Sequence, residues 1–194
     1  MHRTLLVAGA AVAALSLAAC GQNETKGAAT PAEQAATPDA NPAATIPTPS
    51  NEAAAPDFVA KAAASDMFEV EAAKIAQKRS QNAEVKKFAG EMITAHTKST
   101  ADLKKAIADS GQTLTLPTAL PSDLQGKLDD LNKADSFDKA YMDNQVDAHQ
   151  AALDLMQRYA QDGDVPAIKA FAAATGPVVQ QHYDHAKTIR DALK

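Results

Sequence analysis

Three histidines, His96, His149 and His182, lie among apolar residues at helical spacing, each in a different stretch of the sequence. Apolar residues three and four positions away place each imidazole on the apolar face of a helix. These neighbours are Val85, Ala89, Met92 and Leu103 around His96, Met142, Val146, Leu153 and Met156 around His149, and Ala172, Val179, Ala186, Ile189 and Leu193 around His182. Neutral imidazole is a good ligand for zinc, copper and nickel. The spacing predicts a buried histidine site, with zinc, copper or another divalent metal as its candidate cofactor.

A carboxylate from the first helix is expected to complete this site. Glu71 lies on an apolar flank of that helix, and we expect it to be the nearest carboxylate to the histidines. Glu69 on the neighbouring line, and His185 one turn from His182, are secondary candidates. Counted from the predicted turns at 1.5 Å per residue, Glu71 and the three histidines fall within roughly 10 Å along the axis of a bundle. A shared polar layer is therefore predicted.

A second interpretation of the histidine layer is purely structural, with the imidazoles paired to Glu71, Tyr141 or backbone carbonyls and only ordering the core. A di-iron site is disfavoured under either interpretation. Di-iron bundles use Glu-x-x-His motifs, whereas the positions three residues before the histidines hold isoleucine or valine. Two function classes stay open: a metal-binding or stress-related domain, and a non-catalytic structural or partner-binding protein whose histidines only order the core.

No catalytic residue is predicted. Residues 57–194 contain no cysteine, and Ser99 is the only serine near the histidines, so no nucleophile with a neighbouring base can be assigned. The net charge of -5 disfavours a nucleic-acid partner. The sequence identifies no protein partner.

Residues 57–194 read as one helical domain, because apolar residues recur at steps of three and four and strand patterns are missing. The predicted long helices run from about Asp57 to Arg79, from Asn82 to Ser110, from Phe137 to Gln161, and from near Asp164 to the C-terminus, with a short helix from Ser122 to Lys133. Asp57 and Ser122 are expected to cap their helices, and Gly111 to end the second one. These elements predict an all-α, ferritin-like antiparallel four-helix bundle, with the short extra helix in the long connection between helices 2 and 3.

The N-terminal region predicts a lipid anchor. Residues 1–19 combine a basic start, an apolar stretch and small residues before Cys20, the single cysteine of the chain. This pattern resembles a bacterial lipoprotein signal peptide, in which the cysteine becomes the N-terminus and carries acyl chains such as palmitate. Residues 20–56, rich in Ala, Pro and Thr, read as a disordered tether. Gly21 rather than aspartate after Cys20 favours the outer membrane, with the domain facing the periplasm.

The helical domain resembles a known bacterial family, the domain of unknown function 4142 (DUF4142). The resemblance rests on Phe68-Glu69-Val70-Glu71, on Phe88-Ala89-Gly90-Glu91-Met92-Ile93 before His96, on Phe137-Asp138-Lys139-Ala140-Tyr141 before His149, and on Pro177 before His182. It covers residues 57–194. The resemblance implies a ferritin-like fold and a protein of the outer membrane, and it implies no established activity.

Replacing Cys20 tests the predicted anchor. Because Cys20 is the single acylation candidate, Cys20→Ser is expected to move the protein from the membrane fraction to the soluble periplasmic fraction. Cell fractionation followed by immunoblotting measures the change. Membrane association equal to that of the wild type would contradict the lipoprotein interpretation.

Overall fold

Five helices and no strand make up residues 53–193, the part of the chain that the computed structural model of the protein describes. The helices are α1 (Ala55–Arg79), α2 (Ala83–Ser110), α3 (Ser122–Lys133), α4 (Phe137–Asp162) and α5 (Pro166–Ala192). The predicted all-α architecture is confirmed, and each predicted boundary lies within two residues of the observed one. The predicted signal peptide, Cys20 and residues 20–52 of the predicted tether lie outside the described residues.

The four long helices form a ring in which α1 packs on α2, α2 on α5, α5 on α4, and α4 on α1. The start of α1 meets the turn between α4 and α5, and the end of α1 meets the start of α4. Helix α4 therefore runs antiparallel to α1 and parallel to α2, and α3 lies against α1 and α4 within the long crossing. All four neighbouring pairs of the ring are antiparallel, as in bundles with one long crossover.

The first turn of α1 is capped by a residue distant in sequence. The N-cap position holds Ala54, which has no side-chain oxygen, and Asp57 lies inside the first turn, so the predicted cap is wrong. The Ala55 amide instead donates to Asp164 Oδ1, at 2.9 Å. The same oxygen accepts from the Tyr159 hydroxyl, at 3.0 Å. Asp164 thus holds the start of α1 against the end of α4.

Two glycines have conformational roles at the helix ends. Gly111 ends α2 in the left-handed region with φ of 68°, as predicted from its position after Ser110. Gly163 ends α4, and a Cβ at this position would lie 2.5 Å from the Tyr159 carbonyl oxygen. Asn82 caps α2 by accepting from two backbone amides, whereas Ser122 makes no cap hydrogen bond in α3, contrary to prediction.

Arg79 fastens the long crossing to the bundle. Its guanidinium donates to the carbonyl oxygens of Leu131, Asn132 and Ala134, at 2.7 to 2.8 Å. It also lies over the ring of Phe137, 4.7 Å from the centroid. Carbonyl groups at a helix C-terminus lack intrahelical partners, so one side chain at the end of α1 both satisfies the end of α3 and fixes the start of α4.

The apolar core is divided along the bundle axis. One large cluster includes Phe68, Phe88, Tyr141 and Ile189, and the other includes Phe58, Leu103, Tyr159, Ile168 and Phe171. Polar side chains lie between them. Of the six buried polar or charged residues in the described part of the chain, five belong to this layer: Asp66, Glu69, His96, Gln145 and His149. Within residues 53–193, none of the helices has both the length and the apolar character needed to cross a membrane.

Removing the Asp164 carboxylate is expected to destabilise the bundle. Asp164→Ala leaves the Ala55 amide and the Tyr159 hydroxyl without their shared acceptor, and the expected loss in the free energy of unfolding is about 1 to 3 kcal/mol. Urea denaturation followed by circular dichroism measures it. Asp162→Ala, at an exposed position two residues away, is the control and should change stability by about 0.5 kcal/mol or less. Equal stabilities of the two variants would contradict the capping role.

Candidate metal centre

Three helices bring the predicted histidines together in the layer between the two apolar clusters. His96 lies on α2, His149 on α4 and His182 on α5. One ring nitrogen from each lies within 4.8 Å of the others, and the ring centroids are 5.5 to 5.9 Å apart. His96 and His149 are buried and His182 is half-buried. The juxtaposition predicted from the histidine spacing is therefore present.

Hydrogen bonds fix two of these rings. His96 Nδ1 donates to Asp66 Oδ1 at 2.8 Å, and Asp66 Oδ2 accepts from the Thr100 hydroxyl at 3.0 Å. His149 Nδ1 donates to the Gln145 carbonyl oxygen, also at 2.8 Å. A carbonyl oxygen can only accept, so Nδ1 of His149 carries the proton. In the neutral ring, Nε2 then presents a lone pair.

One ring nitrogen of each histidine is buried and has no hydrogen-bond partner. Buried unpaired atoms include Nε2 of His96, Nε2 of His149 and Nδ1 of His182. Leaving a buried polar atom unpaired costs about 1 to 3 kcal/mol. Three helices therefore each contribute one ring nitrogen that has no partner within the described residues. Together these nitrogens could act as ligands to a metal ion.

Glu69 is the buried carboxylate beside His149. Its Oε2 accepts from the Gln145 amide at 2.7 Å, and its Oε1 is 3.9 Å from His149 Nδ1. Burial raises the pKa of Glu69 to about 7, although the charge on His96 and the hydrogen bond from Gln145 act in the opposite direction. Glu69 therefore changes its protonation state near neutral pH.

The three histidines differ in their affinity for protons. Burial, together with the charge on His96, lowers the pKa of His149 to about 4. Burial and the neighbouring histidines lower the pKa of His182 to about 4 as well. Burial lowers the pKa of His96. The hydrogen bond to Asp66 and the charges of Glu69 and Asp66 outweigh this effect, so the pKa of His96 is raised. His149 and His182 are therefore neutral at pH 7.

Two of the predicted site residues lie elsewhere. The side chain of Glu71 is 47% exposed and pairs with Lys74 on its own helix, at 2.7 Å, so Glu71 is not the nearest carboxylate. His185 is half-exposed and faces Glu91, with 3.5 Å between Nδ1 and Oε2. Glu69, the secondary candidate, contacts the layer instead. The carboxylates beside the histidines are thus Asp66 and Glu69.

Asp66 and Gln145 were missed at the sequence level. A usable pattern exists on α1, where the buried residues Ala62, Asp66, Glu69, Ala73 and Ala76 follow steps of four and three. Alanine covers most faces of this helix, so it does not mark one face as apolar. Gln145 precedes His149 by one helical turn, a spacing that could have placed it on the same face.

The geometry suits a metal ion with imidazole ligands. Bonds from zinc or copper to imidazole nitrogen are about 2.0 to 2.1 Å long, which places tetrahedral ligand nitrogens roughly 3.4 Å apart. The observed separations, up to 4.8 Å, require the rings to move inward by about 1 Å or less each. Hydrogen bonds from the far side of a ligand ring to a carboxylate or carbonyl are typical of metal sites. His96 and His149 both have them.

The comparisons with known proteins agree with the fold. A family model described as "Domain of unknown function (DUF4142)" matches residues 38–189. Among solved structures, the chain is similar to "CopM in the Cu(II)-bound form", with a TM-score of 0.61, 14% sequence identity, and coverage of 73% of this chain and 98% of that chain. A search of curated proteins finds no match. At this identity, the structural likeness shows a shared helical fold.

Replacing Glu69 is expected to change the pH dependence of stability. With its pKa raised from 4.5 to about 7, the folded state binds more protons than the unfolded state in this window, so the contribution of Glu69 falls as pH rises. The free energy of unfolding of the wild type should therefore fall by on the order of 2 kcal/mol more than that of Glu69→Gln between pH 5 and pH 8. Urea denaturation with a chelator present measures this.

Glu71→Gln is the matched control for this experiment, because Glu71 is on the same helix and exposed. Its stability relative to the wild type should be the same at both pH values. A Glu69→Gln difference that is also constant between pH 5 and pH 8 would show that the Glu69 carboxyl titrates normally.

Proposed function

We propose that this chain, which belongs to the DUF4142 family, binds a transition-metal ion through His96, His149 and His182. The observation that carries the proposal is the set of three buried ring nitrogens without partners, one from each of three helices. A bound ion would accept the lone pairs of all three. No other group among the described residues offers these nitrogens a partner.

The low pKa values of His149 and His182 favour metal binding at neutral pH. Metal ligands must be deprotonated, and the low pKa of His149 and of His182 leaves both rings neutral at pH 7. The hydrogen bonds from Nδ1 of His96 and of His149 orient these rings without using Nε2. The buried carboxyl groups of Asp66 and Glu69 would offset the charge of a cation.

Copper is the metal that we propose first, with zinc as the alternative. Imidazole binds both, and among divalent first-row ions copper forms the most stable complexes. The structural neighbour described as being in a Cu(II)-bound form supports the same choice, since it shares the bundle fold. Three single histidines leave no Glu-x-x-His pair of the di-iron type, because Ile93, Val146 and Val179 stand at the positions where glutamates would be needed.

The proposal also places the domain at the cell envelope. The leader of residues 1–19 and Cys20 support a lipid anchor, and residues 20–56 would hold the domain away from the membrane surface. We propose an outer-membrane lipoprotein facing the periplasm. Such a protein would meet metal ions before they reach the cytoplasm.

A structural layer is the second candidate function. The hydrogen bonds from His96 to Asp66 and from Gln145 to Glu69 favour it, because they link α2 and α4 to α1 without any metal. In that case the histidines order the core of a structural or partner-binding lipoprotein. The three unpaired nitrogens are the observation that this alternative does not explain.

Metal titration of tag-free protein separates the two functions. The mature chain with Cys20→Ser is expected to melt at higher temperature when Cu(II) or Zn(II) is added, by an amount that follows RT ln(1 + [L]/Kd), or about 2.7 kcal/mol at a free concentration 100 times Kd. Calorimetric titration gives the stoichiometry, which should be one. His96→Ala, His149→Ala and His182→Ala should each abolish the rise in melting temperature.

His185→Ala is the control, because His185 is half-exposed and faces Glu91 rather than the cluster. It should bind metal as the wild type does. If the parent protein shows no metal response while each cluster variant loses about 1 to 3 kcal/mol of stability, the layer is structural and metal binding is refuted.

A further inference from the structure

A small cavity adjoins the histidine cluster. It has a volume of about 30 Å³, and His96 and His182 form part of its wall. Its other lining residues come from all four long helices and are mostly small, so the space lies inside the bundle. A cavity volume of roughly 10 to 15 Å³, measured in the same way, is enough to hold one water molecule. The cavity is therefore large enough for a water or a small anion.

The position of the cavity along the bundle axis follows from its lining residues. On α1 they end at Asp66 and on α4 they begin at Ala152, so they lie toward the apolar cluster that contains Phe58 and Tyr159. Glu69 and Gln145 lie on the opposite side of the histidines and do not line the cavity. One side of the histidine layer is thus filled by a hydrogen-bonded carboxylate and amide, and the other side is open.

The cavity adjoins a surface groove between α2 and α5. A surface groove of about 590 Å³ follows this seam. Four residues line both the groove and the interior cavity: Ala95, Ser99, Thr175 and Val178. Val178 is 44% exposed. Among the described residues, it is the one large hydrophobic side chain that is exposed. Only small or partly exposed side chains therefore separate the histidine cluster from solvent along this seam.

We infer that the histidine site is an open metal centre, whose fourth position faces this cavity and takes a water or one small anion that arrives through the seam between α2 and α5. The inference rests on the proposed metal-binding function. Three histidines supply three ligands, and sites with three protein ligands keep a further position for an exogenous one. The small volume excludes larger organic ligands.

Azide added to the Cu(II)-loaded protein tests the open position. Azide bound to Cu(II) produces a ligand-to-metal charge-transfer absorption, and we expect a saturable band with one azide per copper. Ala95→Leu and Thr175→Leu fill the shared wall of cavity and groove. Each should weaken azide binding by about tenfold or more, while copper affinity, measured by competition with a chelator, stays within about threefold.

Ala101→Leu is the matched control, because it makes the same change on the exposed face of α2, where Ala101 lines a different groove. It should leave azide binding unchanged. His185→Ala and Glu91→Gln change the same seam on the opposite side of the layer, toward Phe88. These variants should also leave azide binding unchanged.

The outcomes separate this inference from the proposed function. Copper that binds without producing an azide band would overturn the open position and leave metal binding intact. An azide affinity that is unchanged in both Ala95→Leu and Thr175→Leu, or one that falls in His185→Ala, would overturn the proposed route. A protein that binds no copper would refute both proposals.

Discussion

The central constraint on this bundle is a buried polar layer between two apolar clusters. Two carboxyl groups, an amide and two histidines are taken out of water there, and each needs a partner because an unpaired buried polar group is unfavourable. Asp66 accepts hydrogen bonds from His96 and Thr100, and Glu69 accepts one from Gln145. These contacts connect α1 to α2 and to α4. A shift of one helix by a turn would break them, so the polar layer fixes the axial register that alanine-rich surfaces alone leave weakly defined.

The topology is what brings the polar residues to one depth. His96 stands thirteen residues after the start of α2, and His149 twelve after the start of α4. His182 and Glu69 each stand ten residues before the end of their helices, α5 and α1. With a rise of 1.5 Å per residue, these positions agree to within about 5 Å, provided that α2 and α4 run parallel. The long crossing with α3, held by Arg79, makes them parallel.

The helices and the three histidines were predictable because large apolar residues mark one face of α2, α4 and α5. The carboxylates were not, because α1 buries mainly alanine, and alanine distinguishes poorly between a buried and an exposed face. Glu71 and Glu69 differ by two positions, which is about 200° around a helix, so assigning the buried face to the wrong side of α1 exchanges them. The cap of α1 was unpredictable for another reason. Its acceptor, Asp164, is 109 residues away in sequence and meets Ala55 only after the bundle forms.

This layer differs from the di-iron sites of similar bundles in the roles of its carboxylates and histidines. There, carboxylates bind the metals directly and share helices with histidines at three-residue spacing. Here each of three helices contributes one imidazole, and Asp66 is hydrogen-bonded to the far side of a ring, where it orients the ring rather than contacting the cluster nitrogen. A carboxylate in that position raises the basicity of the imidazole. With Glu69 and Gln145 filling one side and a cavity on the other, the layer is polarised along the bundle axis. An ion held by the three rings would therefore have the Glu69–Gln145 pair on one side and, on the other, the cavity that Asp66 also lines.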